Sequence, residues 1–138
     1  MTRTRHDTGF ETVPGPEAIA DFRARVDDRI STLKWLTSDR RIDIVLLTSE
    51  LLSNAFQHVD GGTVQMRTQV DRDTIRIDVR DTGSSPLPAT ERPAASATGG
   101  RGLWLLQALS DDYGVEQHSG GKDVWFCIHA GGLSEVRR

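Results

Sequence analysis

Glu50, Asn54 and His58 recur at four-residue intervals in the segment Glu50-Leu51-Leu52-Ser53-Asn54-Ala55-Phe56-Gln57-His58. In a helix that spacing stacks a carboxylate, an amide and an imidazole on one face. Leu51, Leu52, Ala55, Phe56 and Val59 serve the opposite side, so the core gains nothing from the aligned polar triplet and the face is a candidate site. The plainer alternative is the solvated stripe of an amphipathic helix. An asparagine amide oxygen is a hard ligand suited to Mg2+, which takes few protein groups and fills its shell with water and phosphate. One turn earlier, a glutamate can accept the proton of a hydroxyl or a water beside a terminal phosphate.

Other elements must position this face. Apolar residues recur at helical spacing from Glu17 to Leu36, with Pro16 suited to the start, and predict a first helix. A polar turn through Ser38 and Asp39 leads to the helix of the triplet, Ile42 to Val59, which Asp60-Gly61-Gly62 ends. Val64, Met66, Thr68 and Val70, then Ile75, Ile77 and Val79, alternate with polar residues on either side of Asp71-Arg72-Asp73 and predict an antiparallel hairpin. The same parity aims Asp81 inward with Ile75, Ile77 and Val79. An inward carboxylate there can accept from an exocyclic amino group such as that of adenine, and would disfavour guanine; it can equally cap the turn through Thr82 and Gly83.

Residues 82–99, with Pro86, Pro88 and Pro93, read as a long loop of the kind that forms lids. Gly99-Gly100-Arg101-Gly102 then opens onto a third helix that begins at Leu103 and runs about two to three turns. Free amides at such a start make a phosphate site, and a lid hinge explains the glycines nearly as well. Tyr113 to His118 and Val124 to His129, joined by residues 119–123, predict a second hairpin. Phe10 to Val13 is strand-like, while residues 1–9 are expected to fray.

At 138 residues the chain suits one domain spanning 1–138. Its net charge of -3 lacks the electrostatic footprint of a general nucleic-acid binder. The single cysteine, Cys127, allows no intramolecular disulfide, and no signal peptide or membrane-spanning run is evident, so the cytoplasm is the expected compartment.

Taken in order, Glu50-x-x-x-Asn54-x-x-x-His58, Asp81-x-Gly83 and Gly100-x-Gly102-Leu103 resemble the boxes of the GHKL ATPase superfamily. Within it the chain is similar to stand-alone anti-sigma-factor serine/threonine kinases. The resemblance implies an α+β fold of the Bergerat type: a two-layer sandwich whose mixed, mainly antiparallel sheet is covered on one face by helices. It implies ATP and Mg2+ as cofactors, with Glu50 as catalytic base, Asn54 as metal ligand and Asp81 as adenine contact. Gly83 belongs to the first glycine box, and Gly100, Arg101, Gly102 and Leu103 to the phosphate cradle at the lid end. A sigma factor to sequester and a STAS-type antagonist to phosphorylate are the implied partners, and a homodimer is a further possibility. Two departures stand out. Ser85 replaces the second glycine of the D-x-G-x-G box, and the threonine that relatives carry at the start of the last strand aligns with Asp123, which implies a second carboxylate near Asp81 and a weaker nucleotide site. A non-catalytic protein-binding module is the alternative. A remote one is a dimeric aspartic protease, from the string Asp81-Thr82-Gly83-Ser84-Ser85; it requires a nearly all-strand fold.

Overall fold

The computed structural model describes residues 9–59, 61–82 and 98–131. In chain order they form β1 (Glu11–Val13), a 3-10 turn (Pro16–Ala18), α1 (Ile19–Ile30), α2 (Ser38–His58), β2 (Val64–Val70), β3 (Thr74–Thr82), α3 (Thr98–Leu109), β4 (Asp112–His118) and β5 (Gly121–His129). The strand order is β1-β2-β3-β5-β4, and the four pairings are antiparallel. One core joins the helices to one face of this sheet. The α+β sandwich is therefore as expected. Its helices also remove the aspartic-protease reading, which needs a chain of strands.

Phe22, Val26 and Ile30 bury one stripe of α1. The helix stops at Ile30, short of the expected Leu36: the Ser31 N–H reaches the Asp27 carbonyl at 3.0 Å and its Oγ donates to the Asp28 carbonyl at 2.8 Å. Leu33, Trp35 and Leu36 meet the core from successive turns instead. Trp35 is pinned there by its Nε1–H, which donates to the Arg72 carbonyl at 2.8 Å. Tight turns thus reproduce an apolar spacing that resembles a helix.

α2 begins at Ser38, ahead of the expected Ile42, because the Thr37 hydroxyl accepts from the Arg40 N–H at 3.1 Å and caps it. What reads as a polar turn is its first turn. Ile44, Leu47, Thr48, Leu51, Leu52 and Ala55 are buried along it, and burying each large aliphatic side chain contributes about 1.5–3 kcal/mol. Arg40 ties this helix to the rest of the layer, donating to the Leu109 carbonyl at 3.0 Å and to Asp111 at 2.9 Å. Asp111 also accepts the His129 N–H at 2.8 Å, so one carboxylate links α2, the end of α3 and β5.

Val64, Met66, Ile75, Ile77, Val79 and Asp81 are buried where β2 and β3 meet the helices, as alternation requires. β5 adds Phe126 and Ile128. Its strand starts earlier than expected, at Gly121, and only Ser119 and Gly120 remain to turn the chain. Gly121 is obligatory for this close pairing: a Cβ there would fall on the carbonyl oxygen of Asp81.

The opposite sheet face carries charge and aromatic rings. Fully buried Asp78 accepts from Arg76 at 2.9 and 3.0 Å and lies 3.5 Å from Arg67. Phe10 stacks with Arg67 at 4.4 Å and Arg80 at 3.9 Å, and Arg76 covers Trp125 at 4.2 Å. Cys127 is buried on this face, beside Arg76 in the ladder. Among the described residues no helix is long and apolar enough to cross a membrane. Residues 1–8, Gly83 and the part of the expected lid from 83 to 97 lie outside the described residues.

Candidate functional site

The polar face of α2 is built as the spacing predicts. Glu50 and Asn54 are half-buried, whereas His58 is largely exposed at the last turn. At 1.5 Å per residue the three span about 12 Å along the helix axis. Leu51, Leu52 and Ala55 hold the opposite side in the core, so the face is fixed by packing on the helices and on β3 rather than by contacts of the triplet itself.

Asp81 sits at the end of β3, buried on the helix side of the sheet as parity requires. Directly across the ladder is Lys122, whose Nζ donates to Asp81 Oδ2 at 3.2 Å. Both side chains are shielded, with 15% of the lysine and 3% of the aspartate exposed. His58 reports their proximity: partial desolvation first, then the Lys122 charge, hold its imidazole below the usual range, and Asp81 opposes them. The base end of the candidate site therefore joins β3 to β5 through Asp81 and Lys122, and His58 at the end of α2 lies within range of their charges.

Asp123 does not enter this cluster. It lies one rung away, opposite Arg80, and projects to the other face of the sheet, where Arg80 donates to it at 3.3 Å. Burial first, and then the Asp78 carboxylate, raise its pKa against the bond from Arg80. The expected second carboxylate beside Asp81 is thus replaced by a cation. Extending β5 back to Gly121 carries the parity of Val124, Phe126 and Ile128 onto Lys122, because successive strand residues alternate faces. That parity is the signal that locates Lys122 in the sequence.

At the other end, α3 starts at Thr98 rather than Leu103 and takes Gly99, Gly100, Arg101 and Gly102 into its first turns. A helix begun there leaves the amides of its first residues, Gly100 among them, without intrahelical acceptors, and engages those of Gly102 and Leu103 with carbonyls one turn back. The dipole end remains, shifted toward the N-terminal side of the glycine run.

The family described as Histidine kinase-like ATPase domain matches residues 13–128. The Serine-protein kinase RsbW of Bacillus pumilus is 34% identical over 122 residues, covering 76% of this chain and 75% of that protein. Sensor histidine kinase MtrB of Mycolicibacterium paratuberculosis is 27% identical over 151 residues, covering 88% of this chain and 26% of its own length. This chain thus spans about a quarter of that sensor kinase. Among solved structures, the catalytic domain of histidine kinase ThkA superposes with a TM-score of 0.58 at 17% identity, covering 88% of this chain and 95% of that one.

Proposed function

The chain belongs to the histidine kinase-like ATPase family, and from that premise we propose that it is an ATP-dependent protein serine/threonine kinase of the anti-sigma-factor type. The observation that carries the proposal is the alignment of Glu50 and Asn54 on the helix whose end meets Asp81. The donor set fits Mg-ATP: a half-buried amide oxygen at Asn54 for a hard cation, a buried acceptor at Asp81 for the base, and the amide end of α3 for phosphate. Bound ATP supplies the transferable phosphoryl group and its Mg2+ neutralises charge on the phosphates. Glu50 would accept the proton of a serine or threonine hydroxyl, Asn54 would supply an oxygen ligand to the Mg2+, and Asp81 would accept from the adenine amino group. Gly83, Arg101, Gly102 and Leu103 complete the proposed cofactor contacts.

The similarity to a serine-protein kinase supports a serine-bearing protein as phosphoacceptor; in the proposed role this is a STAS-type antagonist, with a sigma factor as the sequestered partner of a cytoplasmic homodimer. A second reading, a binding module that keeps a weakened nucleotide site, is favoured by one observation: Lys122 already engages the carboxylate that should read the base. Transfer of the terminal phosphate to a serine-bearing antagonist separates the two. Glu50→Ala should lower turnover about a hundredfold or more while leaving nucleotide affinity nearly intact, since a positioned base acts in the transition state. Equal rates remove Glu50 as the base, and transfer by neither protein favours the binding module.

A further inference from the structure

Lys122 changes what the base end of the site can recognise. A carboxylate alone presents only acceptors, so it welcomes the 6-amino group of adenine and repels the 6-oxo group of guanine or hypoxanthine. Here the carboxylate has an ammonium 3.2 Å from Oδ2. The pairing is imposed by the fold, because Asp81 and Lys122 oppose each other in the β3–β5 ladder and Gly121 lets the two backbones close up beside them. An ammonium has three donors on a flexible stem and no acceptor. It can bond the carboxylate and a ligand atom together.

We propose that the Asp81–Lys122 pair makes this a dual-purine site, which binds 6-oxopurine nucleotides, guanine and hypoxanthine, as well as adenine nucleotides. An acceptor next to a donor complements any purine edge on which a donor and an acceptor are neighbours. With adenine, Asp81 accepts from the 6-amino group and Lys122 donates to ring N1. With hypoxanthine, Lys122 donates to the 6-oxo oxygen and Asp81 accepts from N1–H; guanine adds its 2-amino group as a further donor to the carboxylate. Between the two modes the base slides by one position along its edge and the lysine follows, while the core holds the aspartate still. The lysine charge also offsets the repulsion that an oxo group would feel from a lone carboxylate. Lys122 is in this sense a specificity-determining residue, and the inference rests on the reading of Asp81 as the base contact.

The test is calorimetric titration of the whole chain with the Mg2+ salts of ATP, GTP and ITP, for wild type, Lys122→Met and Lys122→Arg. The wild type should bind the three within about tenfold of one another. Lys122→Met removes one donor from either mode but returns the 6-oxo group to the repulsion of a lone carboxylate, so the ATP-to-GTP and ATP-to-ITP affinity ratios should shift by about tenfold or more toward ATP. Lys122→Arg keeps a donor and should hold both ratios near the wild-type value. Because each ratio is read on one folded protein, a general loss of stability cancels. A wild type that prefers ATP by a hundredfold or more, with ratios unchanged in Lys122→Met, overturns the dual-purine proposal and leaves the kinase reading standing. No binding of any nucleotide at millimolar concentration overturns the nucleotide site itself and this proposal with it.

Discussion

Adjacent rungs of the β3–β5 ladder carry the same ion-pair chemistry to opposite faces of the sheet. Asp81 faces Lys122 on the helix side, and Arg80 faces Asp123 on the other, with the charges exchanged between strands. The outer pair belongs to a web in which Arg67, Arg76 and Arg80 surround Asp78 and Asp123 and stack on Phe10 and Trp125. The inner pair sits at the end of the core, next to His58 and the polar face of α2. Buried charge thus does two different jobs one residue apart. Outside, the carboxylates neutralise arginines that flatten over aromatic rings. Inside, one carboxylate and one ammonium close the end of a site whose other members stand on a helix.

Removing the outer carboxylate should have the largest effect on stability. Asp78→Ala leaves Arg76 and Arg67 without a fully buried partner, and breaking a buried pair from one side costs about 3–5 kcal/mol. Chemical denaturation should show that loss, while nucleotide affinity, measured below the transition, stays within about twofold of wild type. A variant that keeps its stability but loses nucleotide would reverse the assignment of roles to the two faces.

Asp81→Asn should do the opposite. A hydrogen bond to a charged acceptor contributes about 1.5–3 kcal/mol, so nucleotide affinity should fall roughly ten- to hundredfold with the fold retained. Equal nucleotide affinity in wild type and variant would place the base elsewhere.

Much of this contrast is legible in the sequence, and what is not has identifiable physical origins. The alternation of Ile75, Ile77 and Val79 puts Asp81 inside without any knowledge of β5. Locating its partner needs the start of β5, and reading residues 119–123 as a loop hides it. Aligning Asp123 with the threonine of the resembled family places it beside Asp81, whereas a shift of one residue exchanges the faces of a strand, and the ladder sets Lys122 there instead. The triplet on α2 fares better because four-residue spacing survives a change in where the helix begins. The outer web is the least legible part: Arg76, Asp78 and Arg80 alternate like ordinary solvent-facing residues, and the rings that cover them come from Phe10 and Trp125, far away in the chain. Helix limits fail where a cap or a turn decides them, at Thr37 and at Ser31.

A smaller effect sharpens the geometry of the inner pair. The Lys122 charge is the second cause of the lowered His58 pKa, so Lys122→Met should raise it in an NMR titration, and Asp81→Asn should lower it further. For a histidine depressed in the fold, the associated stability is complete above the unfolded value near 6.5 and is lost as pH falls from there through the folded pKa. Lys122→Met should narrow that window. A His58 pKa that ignores both substitutions would separate the imidazole from the pair.

The smallest effect belongs to Asp123. Its folded pKa is raised, chiefly by burial and then by Asp78, so the folded state holds this proton more tightly than the unfolded chain. The sign is therefore the reverse of the usual carboxylate: the ionised form costs stability above the folded pKa, and that cost is relieved as pH falls from the folded pKa toward the unfolded value near 3.8. Asp123→Asn removes the titration and with it this relief. It also loses the 3.3 Å ion pair with Arg80, but it discharges a buried group whose Oδ1 accepts no hydrogen bond. A neutral amide is less costly to bury than a carboxylate. The two changes oppose each other, and stability at neutral pH should move by no more than about 1 kcal/mol, since exchanging a buried charge for a neutral group is often nearly balanced. Thermal unfolding of wild type and Asp123→Asn between pH 4 and 7 measures both the offset and the lost pH dependence. A loss at neutral pH as large as that of Asp78→Ala would mean that Asp123 supports the arginine web as a charge in its own right, making the outer face depend on two carboxylates where the inner site depends on one.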